Sequence, residues 1–164
     1  MIFYFMQKLA YYKKYVDEGK WQKSDIPTHI DKPFFELDGK KVGIIGLGDI
    51  GRNFAKKASA FDCEVVYFST SGNNSNTQYK RVELNELLET CDIISIHCPL
   101  NENTKDLLNY ENMKNIKDGA ILLNLGRGGI INEVDLSKII DEKEIYCGID
   151  VVAEIGRASC RERV

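Results

Sequence analysis

Short apolar segments alternate with amphipathic segments along most of the chain, and the two patterns predict strands and helices in turn. The predicted strands are KVGIIG, EVVYFS, DIISIH, AILLNL and IYCGIDVV. The predicted helices run from about residue 50 to 61, along LNELLET, from about 109 to 116 and along NEVDLSKIIDE. Because the strands are almost wholly apolar, both of their faces should be buried, as in a parallel sheet covered by helices on both sides. We therefore predict an α/β fold with a doubly wound parallel sheet.

The first 39 residues follow a different pattern. Apolar side chains recur there at spacings of three and four, which predicts one amphipathic helix that ends at Gly19; they are Ile2, Phe5, Leu9, Tyr12 and Val16. A polar stretch with two prolines follows, and an Asp38-Gly39 turn leads into the first strand. We predict an interdomain helix and linker at residues 1–39 and the sheet domain at residues 40–154. Leaving five apolar side chains in water would forgo about 7 to 15 kcal/mol, so we expect the helix to pack on a further domain or a second subunit.

The overall composition excludes several classes of protein. With 43% apolar and 29% charged residues, the chain has the composition of a soluble globular domain. The formal net charge of -3 includes no basic stripe, which argues against nucleic acid as a partner. No apolar run approaches the roughly 18 residues of a membrane span. The lysines of MIFYFMQKLAYYKKY follow the apolar part, the reverse of a signal peptide, so we expect a cytoplasmic location.

The cysteines predict neither a disulfide framework nor a metal site. They are odd in number, form no C-x-x-C pair and lie mostly within apolar segments: Cys63, Cys91, Cys98, Cys147 and Cys160. We interpret them as reduced packing residues.

The string GLGDIG, at residues 46–51, follows a predicted strand and opens a predicted helix. In that context it indicates a dinucleotide-binding strand-helix-strand unit. Gly46 permits the tight turn, Gly48 lets the backbone approach a pyrophosphate, and Gly51 lets the helix pack closely on the sheet. The free amide groups at the helix start then face the phosphates. We therefore predict a Rossmann-type domain that binds NAD or NADP.

The residue that reads the adenosine ribose is expected about 20 residues after the glycines, at the end of the second strand. A carboxylate there would favour NAD, but the position holds Ser69, followed by Thr70 and Ser71. Nothing then repels a 2′-phosphate, and two hydroxyls are available to donate to it. No arginine stands beside Ser69 in the sequence, and Lys80 and Arg81 lie beyond a polar loop. The pattern leaves both cofactors open, with a lean towards NADP(H).

Three residues with charged or reactive side chains lie at or just after the ends of predicted strands. Arg127, in LLNLGRGGI, projects into the crevice where open α/β sheets bind ligands. Its guanidinium can bind a 2-oxo carboxylate through two parallel hydrogen bonds. The alternative interpretation is that Arg127 is an ordinary surface arginine between turn glycines. His97 and Cys98 have no sequence neighbour that would make them an acid, a base or a nucleophile, so we interpret them as turn and packing residues.

Taken together, these segments resemble the NAD(P)-binding domain of the D-isomer-specific 2-hydroxyacid dehydrogenases. The matching segments are VGIIGLGDIG, VVYFS, LLETCDIISIHCPLNENTKDLLN, KDGAILLNLGRGGIINE and GIDVV, from Lys40 to Val152 without a gap. HCPLNENT and NLGRGG are more specific than the glycine motif. The opening helix and GKW are similar to the segment by which such enzymes cross from substrate domain to cofactor domain. The resemblance implies hydride transfer between the nicotinamide and a 2-oxo acid or D-2-hydroxy acid. We also expect a homodimer.

The resemblance assigns roles to single residues. Arg127 matches the arginine that binds the substrate carboxyl and carbonyl oxygens, and Asp150 the aspartate that holds the nicotinamide carboxamide. The other matches are Asp49 and Ile50 beside the pyrophosphate, Ser69 and Thr70 at the ribose, Cys98, Pro99 and Thr104 on the adenosine side, and Leu125 and Gly126 along the nicotinamide half. Asp49 departs from the family pattern, which has a basic or neutral polar residue there, and a carboxylate near phosphates weakens the expected affinity.

The resemblance also implies a glutamate five positions after Asp150 and a later histidine, which together exchange the proton. Position 155 is Ile155, Glu154 is one place out of register, and no histidine follows His97. Residues 155–164 match a common sequencing adapter translated in frame, and we interpret them as an artefact. We therefore expect the chain to bind cofactor without turning over substrate, as part of a longer enzyme. Two alternatives stay open: a non-catalytic, NAD(H)-sensing module of corepressor type, and a dehydrogenase acting on formate or phosphite.

Overall fold

The computed structural model describes residues 1–73 and 78–153, which divide into two units. The first unit is Met1–Glu36, and the second begins at Leu37. The predicted artefact at residues 155–164 lies outside the described residues.

The first unit contains two helices where the sequence predicted one. Helix α1 spans Ile2–Met6 and helix α2 spans Leu9–Asp17. Lys8, between them, has a φ of 51°, a left-handed conformation through which a right-handed helix cannot continue. The prediction of one continuous helix was therefore wrong. Gly19 lies just past the end of α2 with a φ of 67°, as expected of a glycine that ends a helix, and a short 3₁₀ turn follows at Trp21–Lys23.

His29 ties the segment after these helices back to α2. Its ring stacks on Tyr15 with 3.7 Å between the ring centroids, and it shares a 3.0 Å hydrogen bond with the hydroxyl of Tyr11. The hydroxyl of Tyr12 donates to the carbonyl oxygen of Lys32 at 2.7 Å. The predicted linker is thus folded against α2 within the first unit.

The described part of the second unit forms a six-stranded, wholly parallel sheet. Its strands are β1 (Lys41–Ile45), β2 (Glu64–Phe68), β3 (Lys80–Arg81), β4 (Ile93–Ile96), β5 (Ile121–Asn124) and β6 (Tyr146–Ile149). They lie in the order β3-β2-β1-β4-β5-β6, which is the order of the Rossmann fold, so the predicted fold class is confirmed. The order reverses between β1 and β4, and the carboxyl ends there border the crevice in which such folds bind ligands. Strand β3 was not predicted, because two consecutive charged residues show no strand pattern.

Helices cover both faces of this sheet. They are α3 (Asp49–Ser59), α4 (Leu84–Thr90), α5 (Tyr110–Met113) and α6 (Glu133–Glu142). Helix α3 lies on the face to which Ile44 points, since a Cβ on Gly51 would sit 3.3 Å from the Cγ2 of Ile44. Helices α4 and α6 lie on the opposite face, where the buried Leu87 and Ile139 share one core cluster with Ile45. Helix α3 has 11 residues, whereas a bilayer span needs about 20, and no helix in the described part of the chain is long and apolar enough to cross a membrane.

Candidate functional site

The turn between β1 and α3 has the backbone shape that a glycine fingerprint requires. Gly46 has a φ of 94°, and a Cβ there would lie 2.8 Å from the backbone nitrogen of Cys98. A Cβ on Gly51 would lie 2.3 Å from the carbonyl oxygen of Gly46, so α3 approaches the turn only because Gly51 has no side chain. Gly48 differs, since a Cβ there would meet no atom within 4 Å. The open space in this turn lies beside Gly48, where the fingerprint predicts that a pyrophosphate approaches.

The start of α3 next to this space presents amide groups and a balanced pair of charges. Gly48 is the N-cap residue, so no side chain caps the first amides of the helix, and these amides are free to bind an anion. Asp49 forms an ion pair with Arg52, whose guanidinium also donates to the carbonyl oxygen of Leu47 at 3.2 Å. Sequence reasoning weighed the charge of Asp49 and missed Arg52, although the three-residue spacing on a helix signals such a pair. Ile50 is exposed at the same helix start.

The segment after β2 carries the residues expected to read the ribose. Ser69 is only 5% exposed, and its Oγ has no hydrogen-bond partner among the described residues. Thr70 is half-buried. Arg81, which the sequence placed beyond the loop, is brought back by the pairing of β3 with β2, and its guanidinium donates to the carbonyl oxygen of Gly72 at 2.9 Å. Arg81 therefore contacts this segment at Gly72, although the two lie nine residues apart in the sequence.

The loop after β4 is closed by Thr104. Its fully buried hydroxyl donates to the carbonyl oxygen of Pro99 at 2.6 Å and accepts from the amide of Asn101 at 2.8 Å. The loop is thereby fixed next to Cys98, whose backbone touches Gly46. Thr104 thus shapes the turn through its own hydrogen bonds.

Burial sets the protonation states of His97 and Cys98. The ring of His97 shares a 2.9 Å hydrogen bond with the hydroxyl of Ser95, and burial lowers its pKa, so the ring is neutral near pH 7. Burial raises the pKa of the Cys98 thiol to about 11, so this side chain is no thiolate nucleophile at neutral pH. Among residues 1–73 and 78–153, no three His, Cys, Asp or Glu side chains are grouped so as to hold a metal ion.

The carboxyl end of β5 is organised by Asn124, a residue that sequence reasoning did not single out. Its buried side chain donates to the carbonyl oxygen of Arg127 at 2.9 Å and accepts from the amide of Gly126 at 3.2 Å. Its backbone carbonyl accepts from the amide of Asp150 at 3.1 Å, which brings that aspartate to the same place. The signal was present in the sequence, since Asn124 is the polar residue of the otherwise apolar predicted strand AILLNL. Leu125 and Arg127 are exposed, and the guanidinium of Arg127 donates to the carbonyl oxygen of Gly126 at 2.8 Å.

A cleft of about 340 Å³ lies at this edge of the sheet. Leu100 and Lys105 line one side of it, and Gly129 and Val152 line the other. A Cβ on Gly128 would lie 2.3 Å from the carbonyl group of Val152, so the segment after β6 passes directly against the turn that carries Arg127. The residues expected to bind cofactor and those expected to bind substrate therefore follow the carboxyl ends of adjacent strands.

The sheet order and the glycine turn define a dinucleotide-binding domain. The profile of the family described as D-isomer specific 2-hydroxyacid dehydrogenase, NAD binding domain, matches residues 1–157. A hydroxypyruvate reductase of Blautia hydrogenotrophica is 39% identical over 150 residues, which is 88% of this chain and 46% of that protein. The chain belongs to the D-isomer-specific 2-hydroxyacid dehydrogenase family and is its NAD-binding domain. The resemblance noted in the sequence is thereby confirmed.

Two solved structures with bound dinucleotides are similar in fold. An acyclic imino acid reductase in complex with NADPH and D-Arg has a TM-score of 0.83 and 28% identity, over 96% of this chain and 50% of that one. A D-lactate dehydrogenase with NAD+ from Lactobacillus jensenii has a TM-score of 0.77 and 27% identity, over 92% of this chain and 45% of that one. The two differ in cofactor, so the likeness supports a nicotinamide dinucleotide without choosing between NAD and NADP. The chain spans about half the length of the relatives it matches.

Proposed function

We propose that the chain binds a nicotinamide dinucleotide along the carboxyl ends of β2, β1, β4 and β5. The observation that carries this proposal is the contrast among three glycines. Gly46 and Gly51 are in contact with backbone that excludes any side chain, whereas Gly48 faces open space beside the uncapped amides of α3. The pyrophosphate then accepts from those amides, the adenosine ribose lies along Ser69 and Thr70, and the turn formed by Cys98, Pro99 and Thr104 borders the adenosine side.

The nicotinamide half of the cofactor is assigned to the turn after β5. Leu125 and Gly126 border the ring, and Asp150 accepts from its carboxamide. Asn124 supports this arrangement because its side chain fixes the backbone of Gly126 and Arg127 and its carbonyl fixes Asp150. These residues therefore hold one face of the ring towards the crevice.

In the whole protein, we assign Arg127 to the substrate. Arg127 is exposed and follows the carboxyl end of β5, and its guanidinium has the planar donor geometry that suits the carboxylate and carbonyl oxygens of a 2-oxo acid. When bound, the dinucleotide supplies or accepts the hydride at the substrate C2, while a proton is exchanged at the substrate oxygen. The names of relatives, hydroxypyruvate reductase and glycerate dehydrogenase, favour a small 2-oxo or D-2-hydroxy acid as substrate.

We further propose that the 164-residue chain binds cofactor but does not turn over substrate by itself. The proton exchange calls for a glutamate at position 155, which holds Ile155, and for a histidine after His97, which the chain lacks. The test is to titrate the chain with NADH and NADPH and to follow NADH absorbance after adding hydroxypyruvate. We expect saturable binding without oxidation of NADH. Oxidation at a rate proportional to chain concentration would contradict the inactivity, and failure to bind either dinucleotide would contradict the assigned site.

The first unit is proposed to be an interface. Large apolar side chains are exposed on it, among them Phe3, Leu9, Val16, Trp21 and Phe34. Burying such side chains is worth about 1.5 to 3 kcal/mol each, which favours covering them by another domain of the whole protein or by a second copy in a homodimer.

A further inference from the structure

We propose that Arg81 recognises an adenosine 2′-phosphate and gives this domain a preference for NADP(H) over NAD(H). The inference rests on the proposed function, because it adds a specificity-determining residue to the same dinucleotide site. Its basis is strand β3, which the sequence did not reveal.

The pairing of β3 places Arg81 beside the segment that reads the ribose. Arg81 lies opposite Tyr67 of β2, and the amide of the next residue, Val82, donates to the carbonyl oxygen of Tyr67 at 2.9 Å. The guanidinium of Arg81 reaches the carbonyl oxygen of Gly72 at 2.9 Å. Because parallel strands end at the same edge, the cation stands at the carboxyl end of β2, where Rossmann folds bind the adenosine ribose.

The charge of Arg81 is not balanced within the described residues. In residues 1–73 and 78–153, no carboxylate oxygen lies within 4.0 Å of its guanidinium. Lys80, its neighbour on the strand, is paired instead with Glu86 at 3.2 Å. Consecutive side chains of a strand point to opposite faces, so the two cations are not equivalent. The bond to Gly72 uses one of the five N–H donors of a guanidinium, which leaves a fork suited to phosphate oxygens.

The surroundings of this cation suit an anion. Residues 68–73 contain no Asp or Glu, so no fixed carboxylate of that segment repels a phosphate. Thr70 is half-buried, and the Oγ of Ser69 is buried without a partner among the described residues. A buried hydroxyl without a partner is unfavourable, and a hydrogen bond to a bound ribose phosphate would supply the missing partner. The donors and the cation thus converge on one short segment.

The test compares NADPH and NADH binding to the 164-residue chain and to three variants. Arg81→Gln removes the cation, Arg81→Lys keeps the charge without the planar fork, and Lys80→Gln is the matched control that removes an equal charge from the same strand. We expect Arg81→Gln to weaken NADPH binding by about 10- to 100-fold and NADH binding by less than about twofold. Arg81→Lys should give an intermediate NADPH affinity, and Lys80→Gln should change both affinities by less than about threefold. Circular dichroism and the urea midpoint of each variant show whether the fold is intact.

Four outcomes would overturn the inference. Equal losses of NADPH and NADH affinity in Arg81→Gln would show a structural role, and an equal NADPH loss in Lys80→Gln would show an effect of net charge alone. Tighter binding of NADH than of NADPH by the unchanged chain would remove the preference that Arg81 is proposed to explain, while leaving the proposed dinucleotide site intact. Failure of the unchanged chain to bind either dinucleotide would overturn both proposals together.

Discussion

Replacing each of two glycines by alanine should separate cofactor binding from folding. Gly51→Ala would place a Cβ 2.3 Å from the carbonyl oxygen of Gly46, more than 1 Å inside an ordinary contact, so α3 or the turn must move. Gly48→Ala would place its Cβ in open space, at a φ of -77° that alanine adopts freely. The two variants add the same atom to the same turn, three residues apart.

The expected magnitudes follow from these contacts. Overpacking of this kind costs about 1 to 3 kcal/mol, and the atom met by Gly51→Ala is backbone, so we expect a loss of at least about 2 kcal/mol in the free energy of unfolding. In Gly48→Ala, alanine is a poorer N-cap than glycine, which lowers the free energy of unfolding, but it also lowers the entropy of the unfolded chain, which raises it. The net change in the free energy of unfolding should therefore stay within about 1 kcal/mol. The same methyl group would occupy space assigned to the pyrophosphate, so we expect at least about tenfold weaker binding of either dinucleotide.

Urea unfolding followed by circular dichroism measures the free energy of unfolding, and a fluorescence titration with the reduced dinucleotides measures their affinity. Unchanged dinucleotide affinity in a stably folded Gly48→Ala variant would refute the assignment of the open space to a pyrophosphate. A Gly51→Ala variant as stable as the unchanged chain would refute the packing argument.

Three further predictions concern charge and association. Asp49→Asn should strengthen dinucleotide binding by about two- to fivefold at low salt, because it removes a carboxylate from the phosphate turn and releases Arg52; weaker binding would contradict this. The amide of Tyr110 donates to the carboxylate of Asp135 at 3.1 Å and lowers its pKa. The stabilisation from this bond is complete above about 3.9, the pKa of an Asp in the unfolded chain, and is lost as pH falls through the lower pKa of Asp135 in the folded chain. Asp135→Asn should therefore reduce the loss of unfolding free energy between neutral and acidic pH. An unaltered loss would count against this prediction. The exposed apolar side chains of the first unit predict self-association in sedimentation velocity, which a stable, monodisperse monomer would contradict.

The sheet could be predicted because its strands are apolar and its glycine turn has a fixed spacing. Strand β3 could not, since a two-residue edge strand of Lys80 and Arg81 is defined by pairing with β2 and not by its own pattern. The break at Lys8 was equally hidden, because a stripe of apolar residues at spacings of three and four continues through it and only the backbone shows the left-handed residue. Local periodicity reports burial, whereas these features depend on long-range pairing or on one dihedral angle.

In the candidate site as well, some residues could be predicted from the sequence and others could not. Residues in motifs, such as Gly46 and Arg127, could be chosen from the sequence because their residue types are unusual after apolar strands. Asn124 and Arg52 were missed because their importance lies in the backbone groups they bind. The contact of Arg81 with Gly72 could not be predicted from the sequence, because it depends on the pairing of β3 with β2.

A crystal structure of the chain grown with NADPH would show directly where the dinucleotide binds. We predict pyrophosphate oxygens within hydrogen-bond distance of the amides at the start of α3, next to Gly48, with the nicotinamide beside Leu125, Gly126 and Asp150 and the 2′-phosphate beside Arg81. A dinucleotide bound away from Gly48, or a saturated crystal whose Gly48 turn makes no contact with the pyrophosphate, would contradict the assignment of this turn as the cofactor site.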